Sequence, residues 1–195
     1  MRDDNAAYSS ARIADRMEIQ DVIYRWCRAV DRLDFDAMRT VFHPDAVDHH
    51  GPFDGPVEDL IEWIRSRHRG IPFSMHQVGN MLIEFAGSDV ALVETYVRTT
   101  QRYPAESMQS LDQLTGGQQG SFECGADLFT CSRYVDRFER RNGEWRISER
   151  TLVQDWKQVV PVAPGAPKPQ PGWAVGRRDR QDPVFLQRAA LGLQQ

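Results

Sequence analysis

Residues 29–48, AVDRLDFDAMRTVFHPDAVD, decide the fold, because within them one helix ends on an acid, a short second helix comes and goes, and a strand begins. Upstream, Ile13, Met17, Ile19, Ile23, Trp26, Cys27 and Val30 recur at helical spacing with no Gly or Pro to interrupt them, which predicts an amphipathic helix from Ile13 to Val30. Asp31 follows Tyr24 by seven positions and Cys27 by four, so the three share a stripe along the edge of the apolar face. Periodicity alone leaves two readings open: an acid aimed at the interior, or a solvated acid at a fraying helix end. Asp34 is placed to cap a second helix, Phe35 to Phe42, and Pro44 with Asp45 turns the chain into a strand, Ala46 to His50. Alternation puts Ala46, Asp48 and His50 on one face of that strand.

Downstream, GPFDGP (51–56) reads as a turn and Pro56 opens a third helix reaching about His68, with Leu60, Ile61 and Ile64 on its buried side and Trp63 nearby. The period then changes from helical to two. SMHQVGNMLIEF, DVALVETYVRTTQRY, ADLFTCSRYVDRFERR and EWRISERTLVQDWKQV read as four long strands. GSD and RNG join neighbouring pairs as tight turns, the mark of an antiparallel sheet and not of strand–helix–strand crossovers. Residues 104–124 are polar and glycine-rich and are expected to be a mobile loop at the sheet rim. The expected organisation is a flexible leader (1–11), a barrel domain (12–158) and an extended tail (159–195) that ends in a possible helix. Trp173, Val184, Phe185 and Leu186 in the tail suggest docking.

The composition, 41% hydrophobic and 27% charged, is that of a soluble globular chain, and no apolar run approaches the ~20 residues that a membrane span needs. No signal peptide is expected. A net charge of −4 argues against nucleic acid and anionic membranes as partners, since both demand basic patches. Cys27, Cys124 and Cys131 fit neither a disulfide framework nor a CxxC metal motif, so a reducing cytoplasm is the default. His43, His49 and His50 cluster, but lack the paired spacing of a metal site, and no metal is assigned.

Three helices followed by a strongly curved antiparallel sheet resemble the cone-shaped α+β barrel of the nuclear transport factor 2-like superfamily, in its SnoaL-like branch. The resemblance rests on IQDVIYRWCRAVDRLDFDAM, FHPDAVDHHGPFDG, MHQVGN and RYVDRFERRNGEWRISER. Within that branch the chain is similar to cofactor-independent lyases: hexachlorocyclohexane dehydrochlorinase, bile acid dehydratase and, more distantly, scytalone dehydratase. Matched motif to motif, the resemblance implies Asp31, His76 and Arg150 as catalytic residues, with no cofactor. The roles make chemical sense: a histidine accepts a proton near neutral pH, a carboxylate on its other nitrogen fixes the tautomer, and an arginine steadies developing negative charge.

Tyr24, Asp48, His50, Trp63, Asn80, Tyr96, Phe129 and Cys131 are the candidate substrate-binding residues. The chain departs from the bile acid enzyme in carrying Trp26 where that enzyme has tyrosine. The expected activity is elimination from a small hydrophobic cyclic or aromatic substrate, or carbon–carbon cleavage that releases formaldehyde, in the catabolism of aromatic compounds. Alternatives on the same fold are an isomerase or polyketide cyclase, a non-catalytic ligand-binding module, and a dioxygenase small subunit. Relatives imply a homo-oligomer, trimer or dimer.

Overall fold

The computed structural model describes residues 8–117 and 122–193. Helix α1 (Ser10–Arg32) starts where the Ser9 hydroxyl accepts from Arg12 N at 3.3 Å and stops at Leu33, which is left-handed with φ 52°. Its buried side carries Ile19, Val22, Ile23, Trp26, Cys27, Val30 and Asp31. Ile13 and Met17, expected on that side, are exposed; in those first turns Asp15 is buried instead, accepting from Trp145 Nε1 at 3.0 Å and from Arg140 Nη1 at 2.7 Å. Asp34 caps α2 (Phe35–Thr40) by accepting from Ala37 N at 3.2 Å.

Strand β1 (Phe42–His50) begins before Pro44, earlier than the sequence reading placed it. The proline is tolerated because pairing with β6 (Glu144–Pro161) is interrupted between Phe42 and Val47, so no ladder bond is lost. GPFDGP is more than a turn: Phe53–Pro56 forms β2, folded back on β1 in the register Val47↔Pro56 to His50↔Phe53. Helix α3 (Val57–Arg67) follows, and then β3 (Phe73–Phe85), β4 (Val90–Tyr103) and β5 (Ala126–Arg141). The β5–β6 turn uses Asn142 at φ 55° and Gly143 at φ 83°, the primed-turn geometry that matches strand twist.

The six strands run β2-β1-β6-β5-β4-β3, with β1 parallel to β6 and all other neighbours antiparallel. This mixed α+β architecture is the cone expected from the sequence. Register shifts at Val78/Met81 in β3 and at Cys131/Ser132 and Arg137/Phe138 in the β5–β6 pair bend the strands. The sheet closes over the helices around Ile19, Ile23, Trp26, Phe42, Leu60 and Phe138, all at most 1% exposed. Each such side chain contributes ~1.5–3 kcal/mol by leaving water.

The 104–124 stretch is not poor in core residues. It holds a 3-10 turn (Ala105–Ser107) and α4 (Met108–Thr115), whose Leu111 is fully buried with Ile71, Tyr103, Ala126 and Leu128. Positions 118–121 of that stretch, and 1–7 of the leader, lie outside the described residues. In the tail, Asp182 caps α5 (Pro183–Ala190) by accepting from Val184 N at 3.1 Å. Docking there uses Phe185 and a set of charges; Trp173 and Leu186, expected to dock, are exposed.

Candidate active site

Asp31 sits on the last turn of α1, where β3 passes over the helix end. Its carboxylate is gripped from β3 alone: His76 Nδ1 lies 2.7 Å from Oδ1, His76 N donates to Oδ2 at 2.8 Å, and Ser74 Oγ donates to Oδ1 at 3.0 Å. Ser74 and His76 are alternate residues of one strand and so face the same way. An anionic Asp31 can only accept, so Nδ1 carries the proton and Nε2 presents its lone pair. Both side chains are about nine-tenths buried.

The grip continues through a buried chain. Gln101, Ser74's partner in the β3–β4 register, donates to Ser74 Oγ at 3.3 Å and accepts from Tyr103 OH at 2.6 Å. Arg67 Nη1 donates to Tyr103 OH at 2.9 Å and its other terminal nitrogen meets His68 Nε2. Burial first, then Arg67 and Arg178, hold the His68 imidazole well below its usual pKa, so it is neutral. None of Ser74, Gln101, Tyr103, Arg67 and His68 was singled out from the sequence. Only the strand alternation of Ser74 with His76 signalled any of them.

Arg150 is placed inside the cone and wholly buried, but its carboxylate partner is Asp136, directly across on β5, through Nε–Oδ1 and Nη2–Oδ2 contacts of 2.7 Å each. The guanidinium packs on Tyr134 at 3.9 Å, Trp26 at 5.1 Å and Phe42 at 5.5 Å. Burial alone would lower its pKa; Asp136 outweighs that and raises it. Nη1 has no partner among the described residues, nor has Oδ2 of Asp48, which pairs with Arg150 in the β1–β6 register. Cys27, one turn before Asp31, feels both Arg150 and Asp31, which brings the two halves of the site within electrostatic reach of one sulfur. Burial pushes this thiol up to about 12, so it stays protonated.

Asp48 and His50 stand together, His50 Nδ1 lying 3.1 Å from Asp48 Oδ1, and the His50 ring is 6.0 Å from Trp63. The other candidates are elsewhere. Tyr24 is half exposed and lines a cavity of about 870 Å³ on the outer flank of α1, with Glu18, Arg28 and Trp145. Asn80 falls in the β3 bulge and, with Tyr96 and Cys131, borders a cleft on the opposite face of the sheet. Phe129 is in register with Thr100 and shares that outer face with Cys131 and Trp156. A strand exposes every second residue to each face, and these fall out of phase with Ser132, Tyr134 and Asp136, which point inward. A groove of about 660 Å³ meets the dyad at Ser74, between Phe73 and Met75 on β3 and Trp173, Val175 and Arg178 on the tail.

His43 Nε2 lies 2.9 Å from Glu139 O and His49 Nδ1 lies 2.8 Å from Asp54 Oδ1, so the clustered histidines have separate partners. No helix among the described residues is long and apolar enough to cross a membrane.

Comparison with known proteins agrees with this architecture. An uncharacterized protein of Mycobacterium tuberculosis is 32% identical over 160 residues, 80% of this chain and 97% of the relative. Among solved structures, the hexachlorocyclohexane dehydrochlorinase LinA type 3 of Novosphingobium barchaimii matches with a TM-score of 0.63 at 16% identity, over 83% of this chain and 98% of that one. A protein of Novosphingobium aromaticivorans provisionally assigned as a scytalone dehydratase matches with a TM-score of 0.62 at 15% identity, over 78% of this chain and 92% of the other. At such identities these structures establish the fold alone. The SnoaL-like domain model matches residues 11–151, and the chain belongs to the SnoaL-like family of the nuclear transport factor 2-like superfamily.

Proposed function

We propose that the protein is a cytoplasmic, cofactor-independent lyase in which His76, oriented by Asp31, removes a proton from a small hydrophobic cyclic or aromatic substrate. The observation that carries this reading is the double grip of Asp31 on His76, at Nδ1 and at the backbone N–H. It fixes the ring and its tautomer, leaves Nε2 free to take the proton, and puts a carboxylate beside the imidazolium that forms. A general base of this kind contributes ~10²–10⁴-fold in rate.

In the elimination the C–H pair becomes the new double bond and the leaving group departs with its own bonding pair, either as a small anion or, for a hydroxyl, as water after taking up the proton that His76 removed. In the variant that releases formaldehyde, His76 takes a hydroxyl proton, the O–H pair closes the C=O of formaldehyde, the pair of the broken carbon–carbon bond becomes a new C=C bond, and a hydroxyl on the next carbon leaves as water with the proton from His76. Arg150 serves developing negative charge through Nη1, the one terminal nitrogen not committed to Asp136. Asp48, His50 and Trp63 form the wall beside it.

Turnover on a panel of cyclic alcohols, halides and aryl propanediols tests the proposal. His76→Ala and Asp31→Asn lose activity while keeping the wild-type circular dichroism spectrum; activity retained in both ends the assignment. A product of unchanged mass would instead indicate an isomerase or cyclase. The proposal includes a homo-oligomer, with a trimer favoured, supported by apolar side chains left exposed on the outer sheet face: Phe73, Met75, Leu82, Leu92, Tyr96 and Trp156. Light scattering coupled to size exclusion gives the number of subunits, and a monomer would remove this part.

A further inference from the structure

We infer that Arg178, carried by the C-terminal tail, is a positioning residue of the His76–Asp31 dyad, which is held in its working geometry only with the tail docked. The inference rests on the lyase reading for its catalytic meaning, but its structural content stands by itself. Arg178 lies beyond residue 151, where the family match ends.

The geometry is specific. Arg178 Nε donates to the carbonyl of Asp31 and Nη2 to that of Val30, both at 2.9 Å; Nη1 donates to the carbonyl of Ile71 at 2.9 Å, and Nη2 also lies 2.8 Å from His68 Nδ1. The Val30 and Asp31 carbonyls belong to the last turn of α1, where backbone acceptors have no helical partner and a cation is favoured by the helix dipole. Ile71 precedes β3, the strand that brings Ser74 and His76. One planar guanidinium therefore ties the helix end carrying the acid to the segment that delivers the base, and its fork fixes direction as well as distance.

The side chain does not reach in alone. Arg180 grips both oxygens of Asp34 at 3.0 and 3.1 Å. Asp182 pairs with Arg32 at 3.0 Å and accepts from Arg177 N at 2.8 Å, and Phe185 is buried. These contacts hold the tail across the end of α1 with Arg178 pointing inward.

The local charges agree with the docking. Arg67 is committed to Tyr103 and His68, His68 is neutral, and Cys27 and Tyr103 are raised by burial. Arg178 is lowered to about 10, chiefly by burial, and Asp31 is the largest influence opposing that, so the acid favours the guanidinium where it sits.

The test follows the His76 ring by NMR in the full chain with labelled histidine, needs no substrate, and uses His76→Gln to assign the signal. In Arg178→Gln the low-field Nδ1–H signal of His76, which reports its bond to Asp31 Oδ1, weakens or is lost as the helix end carrying the acid is freed. Arg178→Lys, which lacks the planar fork, restores it only in part, and Arg177→Gln, an exposed residue bound to Asp179, leaves it in place. Should Arg178→Gln not fold, Asp182→Asn loosens the same tail, and a weakened signal is expected there too. An unchanged signal in the folded Arg178→Gln protein, or an equal loss in Arg177→Gln, overturns the inference. A wild type with no turnover whose His76 signal still responds to Arg178 would end the lyase reading and leave the coupling standing.

Discussion

Replacing Asp136 with Asn leaves the Arg150 guanidinium buried, charged and without its carboxylate. Both side chains are 0% exposed and share two 2.7 Å hydrogen bonds, so water cannot take the place of the lost charge. Breaking a buried pair from one side costs about 3–5 kcal/mol. The surrounding rings of Tyr134, Trp26 and Phe42 offset part of this, since a desolvated cation–π contact is worth ~2 kcal/mol at most sites of this kind. The net expectation is a loss of roughly 2–4 kcal/mol out of the ~5–15 that hold a typical domain folded. For a chain of this size that lowers Tm by about 4–16 °C, at ~2–4 °C per kcal/mol. Urea unfolding at pH 7, followed by circular dichroism with the slope checked for constancy, measures it. Replacing both partners instead, Asp136→Leu with Arg150→Met, should recover most of the loss, because an apolar replacement of both removes the stranded charge. A loss below about 1 kcal/mol in the single variant would refute the reasoning, and would mean that Asp48, the neighbour of Arg150 on β1, has taken over the pairing.

Three further outcomes follow from the same geometry. His68 has its folded-state pKa depressed, by burial first and by Arg67 and Arg178 next; the unfolded chain therefore binds the extra proton, and stability is full above about pH 6.5 and falls below it by up to ~1.4 kcal/mol per unit. Urea midpoints between pH 7.5 and 5 measure that slope, and His68→Asn flattens it. Cys27, buried and pushed up to about 12, reacts with a thiol reagent only on unfolding, whereas exposed Cys124 and partly exposed Cys131 react in the folded protein; Cys124→Ser with Cys131→Ser removes that reaction, and one persisting in the double variant contradicts the placement. Ser74→Ala deletes one of the bonds to Asp31 and leaves Gln101 without its acceptor, so kcat falls by about tenfold, as expected for the loss of ~1–1.5 kcal/mol of orientation, while KM holds; an equal rise in KM would make Ser74 a binding residue.

The elements were legible wherever one period dominated. The 3.6-residue repeat of α1 and the alternation of β3 to β6 placed them to within a few residues; the resemblance pointed to Asp31, His76 and Arg150, of which the structure joins Asp31 to His76 and pairs Arg150 with Asp136. Asp136 was missed although its signal lay in RYVDRFER: Tyr134, Asp136 and Phe138 are in phase, so an acid stands where the strand otherwise points rings inward. Tyr24 was misplaced for a different reason. It shares a stripe with Asp31, but β3 and the tail cover only the last turn of that stripe, so the same face is buried at one end and wet at the other. Periodicity reports direction around a helix and says nothing about how far along it the cover extends. Arg178 could not be read at all, since its partners lie over a hundred positions away and the tail has no repeat.

Two acids inside this cone have nearly the same burial and opposite uses, and the difference lies in what each holds. Asp136 meets a permanent cation through two parallel bonds; burial pushes its carboxyl up and Arg150 pulls it back down. Asp31 meets an imidazole, whose second nitrogen keeps a lone pair, and its own charge is balanced by a guanidinium that binds the backbone carbonyl and not the carboxylate. Three strand spacings separate β3 from β6, ~14 Å in a flat sheet at 4.8 Å each, too far for both His76 and Arg150 to reach one small molecule. The bulges in β3 and along the β5–β6 pair curl the sheet, and the Cys27 thiol senses charge from both sides. Curvature is therefore the property on which the proposed chemistry depends: straightening the bulge at Val78/Met81 by deleting one residue would turn His76 or Ile83 to the wrong face, since a one-residue slip inverts every side chain beyond it.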